Sequence, residues 1–405
     1  MTTKPKCAIF TCYFNTIMRI AMIGQKGIPA LYGGIERHVE ELSVELARQG
    51  HEVLVYARSW YTPEMIKDCR GVKVVHLPSI HSKHLDAITH TLLATLHAIR
   101  QKPQVIHYHG VGPSLLSWLP KILAPKIKIV ATFHCIDRYH QKWNWLAKGI
   151  LHLGEKTACL FPHHTISVSK TIENYCQNEY NHSTVYIPNG IDSENFPASS
   201  SLLYQWQLEP NKYLLAVTRL VKHKGIHYLI KAWQIARENY PKLLSNYKLA
   251  IVGDSAFTDS YVNELKKMAG NDQSIVFTGW QHGQTLAELY GNATIMIHPS
   301  ENEGLSLSVL RAMSLAKPVL VSDIPEQKEL IEDGRFWFAN TSISSLAYKI
   351  IELLQNPDWL KEAGKKNQFI ASKKYNWLDI AKQTERIYLD QNKKQTVHEL
   401  QTANI

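Results

Sequence analysis

Arg19-Ile-Ala-Met-Ile23, Gly24-Gln-Lys-Gly-Ile-Pro-Ala-Leu-Tyr-Gly-Gly34 and Ile35-Glu-Arg-His-Val-Glu-Glu-Leu42 follow one another without interruption, and together they decide the fold. The first block is a short apolar run that starts afresh at Met18, and the second is a glycine-rich loop. In the third, Val39, Leu42, Val44 and Leu46 recur at roughly helical spacing until Gly50 supplies a stop. A strand, a loop and a helix are predicted. The same rhythm continues through strands at Glu52–Tyr56, Val72–Leu77, Val105–Tyr108 and Ile127–Phe133, with helices at Leu85–Arg100 and Ser114–Leu123 between them. Strands alternating with helices of this length mean βαβ units and a parallel sheet.

After the turn-rich Ile187-Pro-Asn-Gly-Ile-Asp192, the small and polar stretch Pro197–Ser201 reads as a linker. A second α/β unit begins beyond it. Its strands are predicted at Tyr213–Thr218, Lys248–Val252, Ser274–Thr278, Thr294–His298 and Pro318–Ser322, with helices at Ile226–Tyr240, Ser344–Leu354 and from Trp377 onward. The expected fold class is therefore α/β, with two Rossmann-like domains facing a central cleft. The organisation is an extension over 1–17, a first domain over 18–200, a second over 201–376, and a helix and tail over 377–405. That helix is a candidate to cross back to the first domain.

A chain of 405 residues exceeds the roughly 150 that one core usually supports, which fits two domains. Hydrophobic residues at 45% and charged residues at 20% exclude a disordered chain. The net charge of +10 favours a polyanionic partner, a phosphorylated substrate or an anionic membrane. Nucleic acid is not expected, because no recognised module is present and the basic residues are scattered among acids. The six cysteines form no CxxC pair and no zinc-finger spacing, and His163, His164 and His182 show no metal spacing. A reducing cytoplasm is the simplest reading. Cys7–Ile17 is far short of the roughly 20 residues that span a bilayer.

Open parallel sheets bind ligands at the carboxyl ends of their strands, where the loops above lie. The loop 24–34 lacks a P-loop ending and does not match GxGxxG. Gly33 and Gly34 before a helix either let an anion approach bare amides or serve a turn that needs positive φ. Arg219 and Lys224, in the loop that follows the Tyr213–Thr218 strand, are two cations suited to a diphosphate, although a basic loop can also be merely solvated. Gly253 ends the strand Lys248–Val252 and is assigned to the donor side. In His298-Pro-Ser-Glu-Asn-Glu-Gly-Leu-Ser-Leu-Ser-Val-Leu-Arg-Ala-Met313, Glu301 and Glu303 can accept sugar hydroxyls, and amides near Gly304, Leu305 and Ser306 can face phosphate. An acidic helix cap is the competing reading there.

Taken in order, GQKGIPALYGGIERHVEEL (24–42), HYHGVGPS (107–114), ATFHCID (131–137), SVSK (167–170), YIPNGID (186–192), TRLVKHKG (218–225) and HPSENEGLSLSVL (298–310) resemble a family 4 glycosyltransferase of the two-domain GT-B architecture. The first domain is particularly similar to the bacterial rhamnosyltransferase-like group with an IPAxYGGxE opening. The resemblance implies a hexosyltransferase that moves sugar from a nucleotide diphosphate sugar to a glycan or lipid-linked acceptor, with retention of configuration and without a metal. It implies that Gly33 and Gly34 let the donor diphosphate approach, and that His109 lies beside the transferred sugar. It also implies that Arg219 and Lys224 bind the diphosphate, that Glu303 holds the donor sugar, that Leu305 and Ser306 complete the phosphate site, and that His134 and Asp137 line the acceptor side. A role in cell-surface polysaccharide synthesis is the expected setting.

One departure bears on activity. Where the family's second glutamate grips the ribose, this chain has Arg311, whose hydrogen-bonding groups are all donors. Either Arg311 reaches a phosphate, or donor affinity is reduced and the chain is a catalytically impaired nucleotide-sugar or glycan-binding homologue. Cys135 stands where glycine is common and can narrow the acceptor pocket. His107, on its strand, is expected to be more buried than His109 at the strand end. Leu115–Lys128 and Lys142–Lys156 combine lysines with tryptophans and aliphatic residues, which makes an anionic membrane surface a candidate partner; packing on the sheet is the alternative.

Overall fold

The computed structural model describes residues 16–82, 85–136, 138, 145–192, 199–256 and 258–390. Strands β1 (Arg19–Ile23), β2 (Glu52–Arg58), β3 (Asp68–Cys69), β4 (Val72–Leu77), β5 (Val105–His109), β6 (Lys128–Phe133), β7 (His164–Ser167) and β8 (Val185–Tyr186) form one sheet in the order β3-β4-β2-β1-β5-β6-β7-β8. Strands β9 (Tyr213–Val217), β10 (Lys248–Val252), β11 (Ile275–Gly279), β12 (Ile295–His298), β13 (Val319–Ser322) and β14 (Trp337–Phe338) form a second, in the order β11-β10-β9-β12-β13-β14. All pairings are parallel except the short β3–β4 pair. The expected architecture of two parallel-sheet, Rossmann-like domains is the one observed. Its nearly all-buried strands, such as IVATF of β6, are continuous apolar runs because helices cover both faces.

The strand orders reverse between β1 and β5 in the first sheet and between β9 and β12 in the second. Such switch points open a crevice at the carboxyl ends of the strands. The loops that leave these four strands are Gly24–Gly33, Gly110 onward, Thr218–Gly225 and Pro299–Ser306. Residues as far apart in the chain as Gly34 and Leu307 thereby meet on one cleft.

Each sheet is backed by apolar stripes. Trp233 is fully buried on the helix Ile226–Asn239, with its indole nitrogen donating to Ser274 Oγ at 2.9 Å. Large side chains sealed in this way stabilise the fold by about 1.5–3 kcal/mol each. The helix Trp377–Leu389 packs on the first sheet, not the second, through Trp377, Ile380, Ala381, Ile387 and Tyr388. Tyr388 OH meets His107 Nδ1 at 2.7 Å, and Lys128 Nζ donates to the Ile387 and Tyr388 carbonyls. The outgoing chain at Ile191 and the returning chain at Tyr375–Asn376 are bridged, with Ile191 N donating to Tyr375 O at 2.6 Å.

Some local expectations change. The helix expected over Ser114–Leu123 is two short helices, Val111–Ser114 and Trp118–Leu123. Pro120 lacks the N–H that a continuous helix would need and its ring crowds the preceding turn, so the chain tightens at Leu115–Ser117. The strands β3, β7, β8 and β14 lacked a readable pattern: three are only two residues long, and β7, HTIS, buries polar side chains. Pro197 and Ala198 of the Pro197–Ser201 linker lie outside the described residues; Ser201 opens a 3₁₀ turn that docks on the second domain through Leu202 N and Glu288.

Candidate active site

On the second domain, β9 ends at Thr218-Arg219 and β12 at His298. Lys224 sits in a 3₁₀ turn closed by Gly225, whose positive φ of 69° and close approach to the Pro299 carbonyl exclude any side chain there. This turn delivers the Lys224 ammonium to Glu303 Oε1, which also receives His298 Nε2 at 2.7 Å. Burial pushes the Glu303 carboxyl up, but the Lys224 charge and the His298 hydrogen bond outweigh it and hold it well below the ordinary carboxylate range. Glu303 is therefore an ionised acceptor fixed in place. Glu301 receives the Tyr228 hydroxyl at 3.0 Å.

Ser306 caps the helix Leu307–Ser314, accepting from Val309 N at 3.4 Å, and its hydroxyl also contacts His298 Nε2. Gly304 lies against the first domain: a Cβ there would stand 1.7 Å from the His134 carbonyl oxygen. Gly253 has φ of 137° and backs onto the Thr218 carbonyl, so its glycine requirement is one of packing between the ends of β9 and β10. Arg311 is half-buried on the same helix as Ser306, with its guanidinium 5.6 Å from the centre of the buried Tyr290 ring.

On the first domain, Gly33 takes φ of 106° at the start of the helix Gly34–Arg48, and the Glu36 carboxylate occupies the space its Cβ would fill. Gly33 thus serves a turn. Gly34 faces Leu307 of the other domain, at 3.8 Å from where its own Cβ would stand. Arg219 is exposed and makes no ion pair among the described residues. Opposite it, Lys26 Nζ lies 4.6 Å over the Tyr32 ring, and Tyr32 in turn meets Trp280 of the second domain edge to face at 6.1 Å. Burial lowers the Lys26 pKa, the Arg219 and Arg58 charges add to that, and Glu36 opposes it.

The strand-end histidine is not the open group expected: His109 is 1% exposed and His107 0%. His38, His107, His134 and Met22 of the first domain pack around it, and the Gly24 backbone lies against its carbonyl. His109 Nδ1 lies 3.3 Å from His134 Nε2, and His109 Nε2 is 3.4 Å from Met22 Sδ. His38 joins them, with its Nδ1 2.8 Å from Asn189 Oδ1. Asn189 Nδ2 donates to the Leu305 carbonyl across the cleft at 3.0 Å. Burial pushes the pKa of His38 down to about 4 and those of His107, His109 and His134 well below the ordinary value, with neighbouring imidazoles adding to the effect on the last three. Ring nitrogens of His38, His109 and His134 lie within 4.8 Å of one another, a donor set that could also take a transition-metal ion. Asp137 lies outside the described residues.

The structure thus brings His109, His134, Gly34, Gly304, Leu305, Ser306, Lys224 and Glu303 to one cleft, with Arg219 at its rim. Sequence reasoning missed Lys26, His38 and Asn189. Lys26 was read as part of a glycine loop and Asn189 as part of a turn. His38 had a signal: it is an ionisable residue next to Val39 on the stripe that the helix turns toward the sheet.

Two family profiles match, glycosyl transferases group 1 over residues 205–375 and glycosyltransferase family 4 over residues 32–195. An uncharacterised glycosyltransferase of Methanocaldococcus jannaschii is 27% identical, with 92% of this chain and 98% of that one covered. Among solved structures, a sucrose-phosphate synthase from Thermosynechococcus elongatus superposes with a TM-score of 0.79 at 20% identity, covering 95% of this chain and 99% of that one. Anabaena HepE, solved in complex with UDP and glucose, has a TM-score of 0.75 at 20% identity, covering 91% and 99%. One profile spans most of each domain, and the chain is a glycosyltransferase of the family 4 type with the GT-B fold.

Proposed function

We propose that the chain transfers a hexose from a nucleotide diphosphate sugar to a glycan or lipid-linked acceptor, with retention of configuration, in cell-surface polysaccharide synthesis. One observation carries the reading: the Lys224–Glu303 pair and Arg219 leave the second switch point facing Gly34 and the histidines at the first. In the reaction the bond from the sugar's anomeric carbon to the diphosphate breaks, a bond to the acceptor oxygen forms on the same face, and the acceptor proton leaves with the diphosphate. Arg219, Lys224 and the amides at Leu305 and Ser306 stabilise the charge that gathers on the leaving group, which is the work a metal ion would otherwise do. Glu303 accepts hydroxyls of the donor sugar, and His109 lies beside it. His134 lines the acceptor side.

The test is turnover by the purified protein with UDP-glucose, GDP-mannose and dTDP-rhamnose, the last favoured by the IPAxYGGxE opening. Transfer or hydrolysis of one donor, unaffected by a chelator, supports the reading. No turnover with any donor supports the impaired binding homologue that Arg311 raises.

A lipid-linked acceptor is favoured by the outer surface of the first domain. Ile122 and Leu123 are 68% and 55% exposed beside Lys121, and Trp145 is 83% exposed. Ser117 Oγ donates to the Thr157 carbonyl and Lys121 Nζ to the Phe161 carbonyl, so the helices Trp118–Leu123 and Trp145–Leu160 lie side by side. Among the described residues no helix is long and apolar enough to cross a membrane. Contact is therefore peripheral, at the inner face, and cosedimentation with phosphatidylserine vesicles but not with phosphatidylcholine vesicles tests it.

A further inference from the structure

The hydrogen bonds of Asn189 fix more than its own position. The Leu305 carbonyl can only accept, so the carboxamide must turn its nitrogen toward Leu305 and its oxygen toward His38. A carboxamide oxygen can only accept as well. His38 Nδ1 must therefore carry the ring proton, and Nε2 is left as a bare lone pair. That nitrogen is fully buried and has no hydrogen-bond partner among the described residues. An unmade bond of this kind is costly, and it persists in functional sites where a ligand completes it.

The surroundings say what the ligand is. The His38 ring packs against those of His134 and His109, with centroids 4.7 and 5.5 Å away, and Trp377 packs edge to face on the same ring at 5.4 Å. The partner must donate a proton, must be uncharged to enter a site of neutral imidazoles, and must lie between residues assigned to the transferred sugar and to the acceptor.

We infer that His38 Nε2 accepts a hydrogen bond from a sugar hydroxyl bound beside the paired His109 and His134 rings, and that Asn189 is the positioning residue that presents the lone pair. The inference rests on the proposed function above and adds to it a residue that touches substrate. It also gives domain closure a chemical reading. Leu305 belongs to the second domain, so the tautomer is enforced only when the two domains are together; with the cleft open, Asn189 is free to turn and His38 to change its tautomer. Titratable neighbours of His38 are His107, His109 and His134, all held neutral by burial.

Three measurements test this. Nitrogen-15 histidine NMR of the intact protein is expected to show His38 protonated at Nδ1; a proton at Nε2 overturns the inference whatever the activity. His38→Phe is expected to lower transfer by roughly 10- to 100-fold while UDP, GDP or dTDP still raises the melting temperature. Wild-type transfer in that variant overturns the inference, and a nucleotide effect absent even from the wild-type protein counts instead against the proposed function. Asn189→Asp retains an acceptor for Nδ1–H but brings a charge that favours protonated His38. Its transfer is expected to fall at pH 6 and to recover toward pH 8, whereas a merely structural role predicts a uniform loss. Stoichiometric cobalt binding that disappears in His38→Phe would assign the lone pair to a metal and overturn the inference.

Discussion

Lys224 and Glu303 form a buried ion pair at the mouth of the second sheet, and His298 bonds the same carboxylate oxygen. The lysine therefore does two jobs, holding Glu303 ionised and adding positive charge where a diphosphate would lie. Lys224→Ala is expected to abolish transfer and also to destabilise the fold by about 3–5 kcal/mol, because it strands a buried carboxylate. Adding Glu303→Gln removes that charge. The double variant should recover much of the melting temperature and none of the turnover. Full turnover in Lys224→Ala would remove Lys224 from the diphosphate site.

Lys26 and Arg219 face each other from opposite domains, and Lys26 is cushioned on aromatic rings without a carboxylate within ion-pair reach among the described residues. Glu36 and Asp86 offset part of the Lys26 charge without pairing with it, and the two cations repel each other until an anion lies between them. Lys26→Met is expected to weaken pyrophosphate binding roughly 10-fold, equivalent to about 1.4 kcal/mol, and to flatten its salt dependence. Calorimetric titration at two salt concentrations reads both effects. Unchanged binding in Lys26→Met alongside weakened binding in Arg219→Ala would place the anion on the second domain alone.

The buried imidazoles predict how stability responds to pH. His38, His107, His109 and His134 are held below the ordinary histidine value, so the unfolded chain binds protons that the folded chain refuses. Their contribution is complete above the unfolded value of about 6.5 and is lost as pH falls below it, at up to about 1.4 kcal/mol per pH unit for each group. Denaturant titrations between pH 7 and pH 5 should show this slope, and His107→Phe should reduce it by one proton. A flat profile would mean that these rings already bind protons in the folded protein.

Most strands of the two sheets were legible because they are apolar runs ended by glycine or a turn, whereas β3, β7, β8 and β14 were not, and the strand orders with their switch points emerge only in the structure. The cleft was legible only in part. Glu303 and Lys224 stand out as charges beside predicted helix starts, but nothing local says that they pair. His38 and Asn189 are separated by 151 positions, and their bond depends on a third residue in the other domain. Likewise His109 ends a strand in sequence, yet is buried among His38, His107 and His134, contacts that no periodicity records.

Gly304 shows that contact between the domains leaves no room for a methyl group. A Cβ there would meet the His134 carbonyl oxygen at 1.7 Å, and both atoms are fixed by backbone of opposite domains. Gly304→Ala should leave each domain folded while holding the cleft ajar. The expected signs are a larger radius of gyration in solution scattering and transfer reduced by about 100-fold or more, since misplacement by an ångström costs that much. Normal turnover with unchanged dimensions would mean that catalysis proceeds from a more open arrangement.

Arg311 begins the second and last turn of its helix over the Tyr290 ring, where a cation is favoured by both the ring and the carboxyl end of the helix. Two readings of this departure make opposite predictions for Arg311→Glu. If a ribose-binding carboxylate has simply been lost, the variant should bind a nucleoside diphosphate more tightly. The geometry favours the other outcome: a glutamate there repels the helix end and forfeits the ring contact, so stability should fall by about 1–2 kcal/mol with no gain in affinity. Melting curves with and without UDP, GDP and dTDP separate the two. A larger nucleotide-induced shift in Arg311→Glu than in the wild-type protein would show that the arginine has no place in the working site.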